Sequence, residues 1–327
     1  MEHRCWILVD AGKKGSENQA VGLAERMGWS FSLYRLRLPC VDLGRRYRTY
    51  IQQLEALSPQ PDVILSAGRR SQPVATGFKK RHPEVFLIAL LNPLMPLSLF
   101  DLVIAPQHEA LRGPNVLATK GVLHRITEAT LQEGWQRERF ASLRRPLLGV
   151  LLGGASKDCG WSSPAAESLM AHCPPFLSPH SPRFRVLFET LRQYDKEGWG
   201  ILVLPSRRTP DWLKEALREC CAGTSIRVEE GTEAFNPYIS ALAASDMLLV
   251  TADSMSMLSE ACATHKPVYI FPLAGTSRKL SALHATFCST GHARIFSGSL
   301  DAFTPPPLVE EGLEEEISKR LAEFIGS

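Results

Sequence analysis

Short, unbroken apolar runs recur along the chain, each followed by a polar turn and an amphipathic segment. This alternation restricts the fold more than any other feature. Val63 to Ala67, Leu102 to Ala105, Leu147 to Leu152, Ile201 to Leu204 and Val268 to Phe271 are strand length and apolar almost throughout. A strand apolar on both faces must be covered on both, the condition of a parallel sheet flanked by crossover helices. Trp6 to Val9, Phe31 to Leu38, Val85 to Leu91, Val116 to Thr119 and Ile226 to Glu229 extend the strand series. Helices are expected between them, over Ser16 to Met27, Tyr47 to Leu57, Pro73 to Arg81, about 183 to 196 and Asp211 to Cys221. In the first of these Ala20, Leu23, Ala24 and Met27 share one face. The alternation pauses over 127 to 145, a polar helix ending at Pro146, and then restarts. A chain of 327 residues suits two domains of about 150 residues each. The expected fold class is α/β, with two Rossmann-like domains, 1–143 and 144–308. The last helix, about Leu313 to Phe324 within 309–327, has Leu313, Ile317 and Leu321 at spacing four and needs a partner surface, expected on the first domain. The proline-rich stretch 159–182 reads as an irregular excursion.

Charge and composition exclude several classes. The net charge of +3 lacks the concentrated basic face of a nucleic-acid binder, and Arg45-Arg46-Tyr47-Arg48 reads as a solvated helix start. No run approaches the roughly 18 apolar residues of a membrane span. No transmembrane segment is therefore expected, and peripheral membrane contact stays open. The N-terminus enters a strand at Cys5 without the pattern of a signal peptide, so a cytoplasmic protein is expected. The eight cysteines show no metal-ligand spacing and read as reduced thiols.

The richest stretch for chemistry is Phe235 to Pro272, read as helix, strand, tight loop, helix and strand. Asp253 and Ser254 follow the strand that begins after Asp246 and open the helix Ser254 to Thr264; Lys266-Pro267 stops it. Free backbone N–H groups and the positive end of the helix dipole make such a start an anion site. Glu260, one and a half turns further on, is a carboxylate able to accept two ribose hydroxyl protons. Each position also has a plain structural reading. Glu260 can pair with Lys266 or Arg278, Asp253 can be an ordinary N-cap, and Arg207 and Arg208 can cap a helix or face water.

Two tandem Rossmann-like domains, each with a glycine-rich first loop, resemble the GT-B glycosyltransferases. The stretch beginning at Phe235, Asn236 and Pro237, with Asp246, Ser259-Glu260 and Pro267, looks like the nucleotide-sugar site of the lipid-linked N-acetylglucosamine transferases of peptidoglycan synthesis. A closer match covers nearly the whole chain. Asp10-Ala-Gly with Glu17-Asn-Gln-Ala20, Ser66-Ala-Gly-Arg-Arg70, Leu91-Asn-Pro93 and Phe100 to Pro106 with His108 belong to it. So do Leu152-Gly-Gly154 with Ser156-Lys157, Pro205-Ser-Arg-Arg-Thr-Pro210 and Thr251 to Met257. Together they resemble the Elm1-like family, named after a plant mitochondrial fission factor and mostly bacterial.

The GT-B resemblance implies a metal-independent glycosyltransferase that takes its nucleotide-sugar donor, a UDP-sugar first, in a cleft between the domains. No D-x-D motif is present and no cofactor is implied. The donor side would use Gly153, Gly154, Ser156, Lys157, Ser206, Arg207, Arg208, Asn236, Asp253, Ser254, Met255, Ser256 and Glu260. Arg207, with Arg208 as its alternative, would neutralise the leaving diphosphate. The unknown acceptor would meet Gly12, Lys13, Gly15, Asn18 and Gln19, with Asp10, His108 or His124 as general base. A non-catalytic GT-B shell, whether scaffold or membrane-fission interaction protein, is the alternative, and a nucleotide-sugar 2-epimerase a third.

Overall fold

A computed structural model describes residues 3–37, 43–135, 137–154, 182–232, 236–275, 277–308 and 312–326. Ser156, Lys157, Phe235 and almost all of the proline-rich stretch lie outside the described residues.

The chain divides into two compact units, Met1–Arg125 with Val309–Ser327, and Ile126–Leu308. The first holds six parallel strands in the order β2-β1-β3-β4-β5-β6, namely β1 (Arg4–Asp10), β2 (Ser30–Leu36), β3 (Val63–Ala67), β4 (Phe86–Leu90), β5 (Leu102–Pro106) and β6 (Val116–Thr119). Because strand side chains alternate, one sequence supplies two cores. Ile7, Val9, Leu65, Ile88 and Ile104 point to α1 (Lys14–Arg26). Trp6, Leu8, Ile64 and Leu87 point the other way, to α2 (Leu43–Glu55) and α3 (Ser71–Lys79).

The C-terminal helix returns to the first unit, where Leu313, Ile317 and Leu321 join the α1 face. Its edges are tied as well. Arg26 pairs with Glu314, Arg320 donates to the Pro114 carbonyl at 2.9 Å, and the Lys79 ammonium sits 4.1 Å from the Phe324 ring.

The second unit also has six parallel strands, in the order β12-β11-β10-β7-β8-β9. They are β7 (Leu147–Leu152), β8 (Gly200–Pro205), β9 (Arg227–Val228), β10 (Met247–Thr251), β11 (Val268–Phe271) and β12 (Arg294–Ile295). Its helices are α4 (Glu128–Gly134), α5 (Arg137–Phe140), α6 (Pro182–Lys196), α7 (Asp211–Cys221), α8 (Tyr238–Ala244), α9 (Met255–Cys262) and α10 (Arg278–Ser289); the C-terminal helix is α11 (Leu313–Ile325).

The division between units falls at Arg125–Ile126, ahead of the break expected at 143/144. Residues 126–143 belong with the second unit for packing reasons. Ile126 and Phe140 enter its core, Arg139 pairs with Glu229 at 2.6 Å, and a Cβ added to Gly134 would lie 2.3 Å from Ile239. The single polar helix expected there is two short ones, α4 opening on a capping box at Thr127. Helix α10 and strand β12 were not expected. Helix α10 had a legible signal, Ser277 as N-cap with Leu280, Leu283 and Phe287 buried on one face, whereas two residues of β12 carry no period to read.

Cys5, Cys220, Cys221, Cys262 and Cys288 are free thiols. Among the described residues no helix is long and apolar enough to cross a membrane.

Candidate functional site

In the second sheet the chain starts in the middle, at β7, runs outward through β8 and β9, and returns to the other side through β10. The strand order reverses between β7 and β10. Loops leave the carboxyl ends of such neighbours in opposite directions and open a crevice, the usual ligand position of an open α/β sheet. Gly153-Gly154, Ser206 to Thr209 and Asp253-Ser254 are the loops that leave β7, β8 and β10 at this edge.

The loops are fitted closely. A Cβ on Gly153 would lie 2.0 Å from Asp253 Oδ2, and one on Gly154 would lie 2.2 Å from the Arg208 carbonyl oxygen, so only glycine permits the approach. The Gly153 N–H donates to Thr251 Oγ1 at 2.8 Å. Thr209 Oγ1, buried, lies 3.0 Å from the Leu152 carbonyl and 2.8 Å from that of Gly153. Ser206 Oγ lies 3.1 Å from Thr209 Oγ1 and accepts the Arg208 N–H at 3.2 Å, so it serves its own turn. Arg207 and Arg208 are exposed, and neither forms an ion pair among the described residues.

Ser254, not Asp253, caps α9, its hydroxyl accepting the Met257 N–H at 3.4 Å. Met255 and Ser256 form the first turn of that helix, half-buried. Asp253 is buried against the glycines. Its Oδ1 accepts from Thr251 Oγ1 at 2.7 Å, and its Oδ2 is buried without a hydrogen-bond partner among the described residues. Burial dominates and raises its pKa above the ordinary carboxylate value. The Thr251 hydroxyl, the backbone N–H groups of Asp253 and Gly154 and the Arg208 charge oppose that rise.

Glu260, further along α9, forms a second cluster with Tyr238 and Asn236 at the start of α8. Glu260 is buried and pairs with neither Lys266 nor Arg278. Its Oε2 accepts the Tyr238 hydroxyl proton at 2.7 Å. Burial lifts Glu260 to about 7, with the Tyr238 hydroxyl partly opposing, and Tyr238 is in turn held well above its usual range. Asn236 Oδ1 accepts the Tyr238 N–H at 3.1 Å and sets the start of α8. Lys266 instead donates to the Leu242 and Ala243 carbonyls, each at 2.7 Å.

The first unit departs further from expectation. Asp10, expected as a general base, ends β1 and reaches across to the start of α3. Its carboxylate accepts the Ser71 N–H at 2.8 Å and the Arg70 N–H at 3.1 Å. Gly68, at φ +140°, leaves it room, since a Cβ there would be 2.5 Å from Asp10 Cγ. Asp10 therefore satisfies orphan donors of a helix start.

Gly15, expected in the loop Gly12 to Gly15, lies inside the first turn of α1, so the loop ends at Lys13. Gly12, at φ +81°, and Lys13 are exposed, Asn18 is half-buried and Gln19 is buried. His108 sits in a single turn, Gln107–Glu109, after β5, half-buried. Three strand spacings, about 14 Å, separate the ends of β1 and β5, which carry Asp10 and His108. His124 lies on the loop against α1, its carbonyl oxygen 2.5 Å from where a Gly22 Cβ would stand.

The sequence does not single out three residues of these clusters, Thr209, Thr251 and Tyr238. The first two lie inside the recognised motif segments, and their hydroxyl contacts bridge loops that are adjacent only in the folded sheet.

The fold is shared with solved structures at low sequence identity. A UDP-GlcNAc 2-epimerase from Neisseria meningitidis, bound to UDP-GlcNAc, is 11% identical with a TM-score of 0.58, covering 98% of this chain and 100% of that one. MurG of Acinetobacter baumannii is 13% identical with a TM-score of 0.51, covering 99% and 93%. The architecture is that of the GT-B class. Among sequences, an uncharacterized protein of Rickettsia prowazekii (strain Madrid E) is 26% identical over 98% of this chain and 97% of its own length. The mitochondrial fission protein ELM1 of Arabidopsis thaliana is 26% identical over 76% of this chain, which spans 61% of that protein. With the family model for mitochondrial fission ELM1 matching residues 14–321, the chain belongs to that family.

Proposed function

We propose that the carboxyl edge of β10, β7 and β8 binds the nucleoside diphosphate of a nucleotide sugar, and that the protein transfers the sugar without a metal or cofactor. One observation carries the reading. At the point where strand order reverses, two side-chain-free residues, a capped helix start and the loop that carries Arg207 and Arg208, neither in an ion pair among the described residues, come together. Backbone N–H groups at the start of α9 and Ser254 and Ser256 would meet the phosphates. Glu260 would accept the ribose hydroxyls on the oxygen that Tyr238 does not use.

Departure of the sugar leaves a diphosphate that gains negative charge. A fixed cation lowers that barrier more than it tightens substrate binding. Arg207 and Arg208 are the candidates. Arg208 is the nearer to the glycine cradle, since its carbonyl and Cβ border Gly154. On the acceptor side, the base candidates are His108, His124 and Asp10, two of whose acceptor sites are taken by the start of α3.

The use of Asp10 at the start of α3 also fits a second reading, in which the shell binds a nucleotide or a protein partner without catalysing transfer. An epimerase remains a third, suggested by the fold alone.

A melting-temperature scan with UDP, GDP, ADP, CMP and TDP separates these readings. UDP comes first because the epimerase of the same fold is described with UDP-GlcNAc. A ligand at 100 times its Kd adds about 2.7 kcal/mol of stability. A rise with one diphosphate, followed by release of that diphosphate from its sugar conjugate, supports the transferase. No rise with any nucleotide at millimolar concentration overturns nucleotide binding and leaves the scaffold.

A further inference from the structure

A cavity of about 560 Å³ opens at the opposite, amino-terminal edge of the second sheet, where Asp246 leads into β10 and Pro267 into β11. Trp135 and Phe303 are among its walls, with Arg145, Asp246, His265 and Lys266 among its polar lining. Its size lies within the roughly 300–1,000 Å³ of small-molecule sites. Nothing in the nucleotide-sugar reading uses it.

The lysine is held in an unusual way. Lys266 Nζ is 2.7 Å from each of two carbonyls, Leu242 and Ala243, at the end of α8, and has no carboxylate in salt-bridge contact among the described residues. A neutral amine has two N–H donors and one lone pair. Two carbonyl acceptors satisfy both donors and leave the lone pair as the third position on nitrogen, on a residue that lines the cavity.

The arginine beside it is partly spent. Arg145 Nη1 donates to the Ala244 carbonyl at 2.6 Å and to Asp246 at 2.9 Å, and Asp246 also accepts the Leu147 N–H. The other guanidinium donors of Arg145 make no hydrogen bond among the described residues. The Asp246 charge is thus locally balanced, and Arg145 keeps donors for an incoming anion.

We propose that this cavity takes a small anionic carbonyl compound, with its anionic group on Arg145 and its carbonyl carbon condensing with Lys266 Nζ. The amine adds to the carbonyl to give a carbinolamine. Loss of that hydroxyl with a proton from nitrogen releases one water and leaves an imine. No oxidant or reductant takes part, and hydrolysis reverses the step. Burial supports the chemistry by lowering the Lys266 pKa from 10.5 to about 8, with Arg145 acting in the same sense and Asp246 opposing. At pH 7.5 this leaves about two orders of magnitude more free amine than an ordinary lysine has.

Pyridoxal phosphate, an aromatic aldehyde with a phosphate, is the probe. The full-length protein is treated at pH 7.5 with limiting probe, reduced with borohydride, digested and mapped by mass spectrometry. The expected adduct sits on Lys266 with at least tenfold preference over other lysines. Lys266→Arg, which keeps the charge and the carbonyl bonds, should abolish it. Arg145→Gln should raise the concentration needed for half-labelling by pyridoxal phosphate several-fold, and leave labelling by unphosphorylated pyridoxal unchanged. Labelling spread evenly over surface lysines of the wild-type protein overturns the proposal, and so does an adduct yield unaffected by Lys266→Arg. Equal loss of both probes in Arg145→Gln overturns the anion assignment.

Discussion

Glu260→Gln separates what the fold wants at this position from what a ligand wants. Burial raises the Glu260 pKa from 4.5 to about 7, so the folded chain holds the proton more tightly than the unfolded chain does. The stability carried by that proton is complete below about pH 4.5 and is lost as pH rises through 7. At about 1.4 kcal/mol per pH unit, the interval is worth about 3 kcal/mol. Glutamine cannot ionise and keeps an acceptor for the Tyr238 hydroxyl. The unfolding free energy of wild type minus variant should therefore fall by about 3 kcal/mol between pH 4.5 and 8. Denaturant unfolding of the whole chain at closely spaced pH, with both proteins in the same buffers, reads this difference and cancels the other titrating groups. A flat difference over that range would falsify the claim that Glu260 is buried and held largely neutral.

The same variant tests the ligand. Ribose hydroxyls donate to a carboxylate, so bound nucleotide favours the charged form and pulls the pKa down. Below pH 7, UDP affinity should then weaken about tenfold per pH unit beyond the loss seen with 2′-deoxyuridine diphosphate. In Glu260→Gln this extra dependence should vanish, and affinity at pH 8 should drop by about 1.5–3 kcal/mol. Calorimetric titrations with indistinguishable pH profiles in the two proteins would remove Glu260 from the nucleotide site.

Other substitutions test the remaining assignments. Gly153→Ala drives a methyl group into the Asp253 carboxylate and should cost about 1–3 kcal/mol, read as a lowered Tm; a change within noise would mean that the loops do not touch. Asp10→Ala removes the acceptor for the first N–H groups of α3 and should cost about 1–2 kcal/mol of stability. Loss of turnover at unchanged stability would assign Asp10 the role of base. Arg207→Ala and Arg208→Ala should weaken UDP binding while leaving uridine binding unchanged, and equal loss of both ligands in calorimetry would argue against a phosphate contact. Ile317→Ala on the returning C-terminal helix should destabilise the first unit by about 2–5 kcal/mol, visible as faster amide exchange in the α1 face.

What was legible in the sequence is what period and composition encode. Leu147 to Leu152 and Val63 to Ala67 are buried at every position, so their apolar runs announced a sheet covered on both faces. Leu313, Ile317 and Leu321 announced a helix needing a partner, and the first unit supplies it. Pairings between distant loops were not legible. Nothing local in Asp10 says that its acceptors go to Arg70 and Ser71, because that bond exists only once β3 pairs with β1. The sequence offers Glu260 the charges of Lys266 and Arg278, yet its partner is the neutral hydroxyl of Tyr238 on a neighbouring helix. Charge complementarity suggests ion pairs, whereas a largely buried carboxyl can be satisfied by a hydroxyl at lower desolvation cost.

The two sheets solve one problem with the same device and finish differently. In each, an aspartate at the end of one strand presses against a glycine at the end of its neighbour, beside the place where the strand order turns back. In the first unit, Asp10 meets Gly68, and the N–H groups opening α3 take up its carboxylate. In the second, Asp253 meets Gly153, the Thr251 hydroxyl takes one oxygen, and the other is buried without a partner among the described residues. A buried carboxylate oxygen left over costs free energy, and that cost is tolerated where something else depends on the geometry. The second unit keeps at one edge a capped helix start, a buried carboxylate oxygen without a partner and two arginines free of ion pairs among the described residues, and these are the features on which the proposed donor site rests.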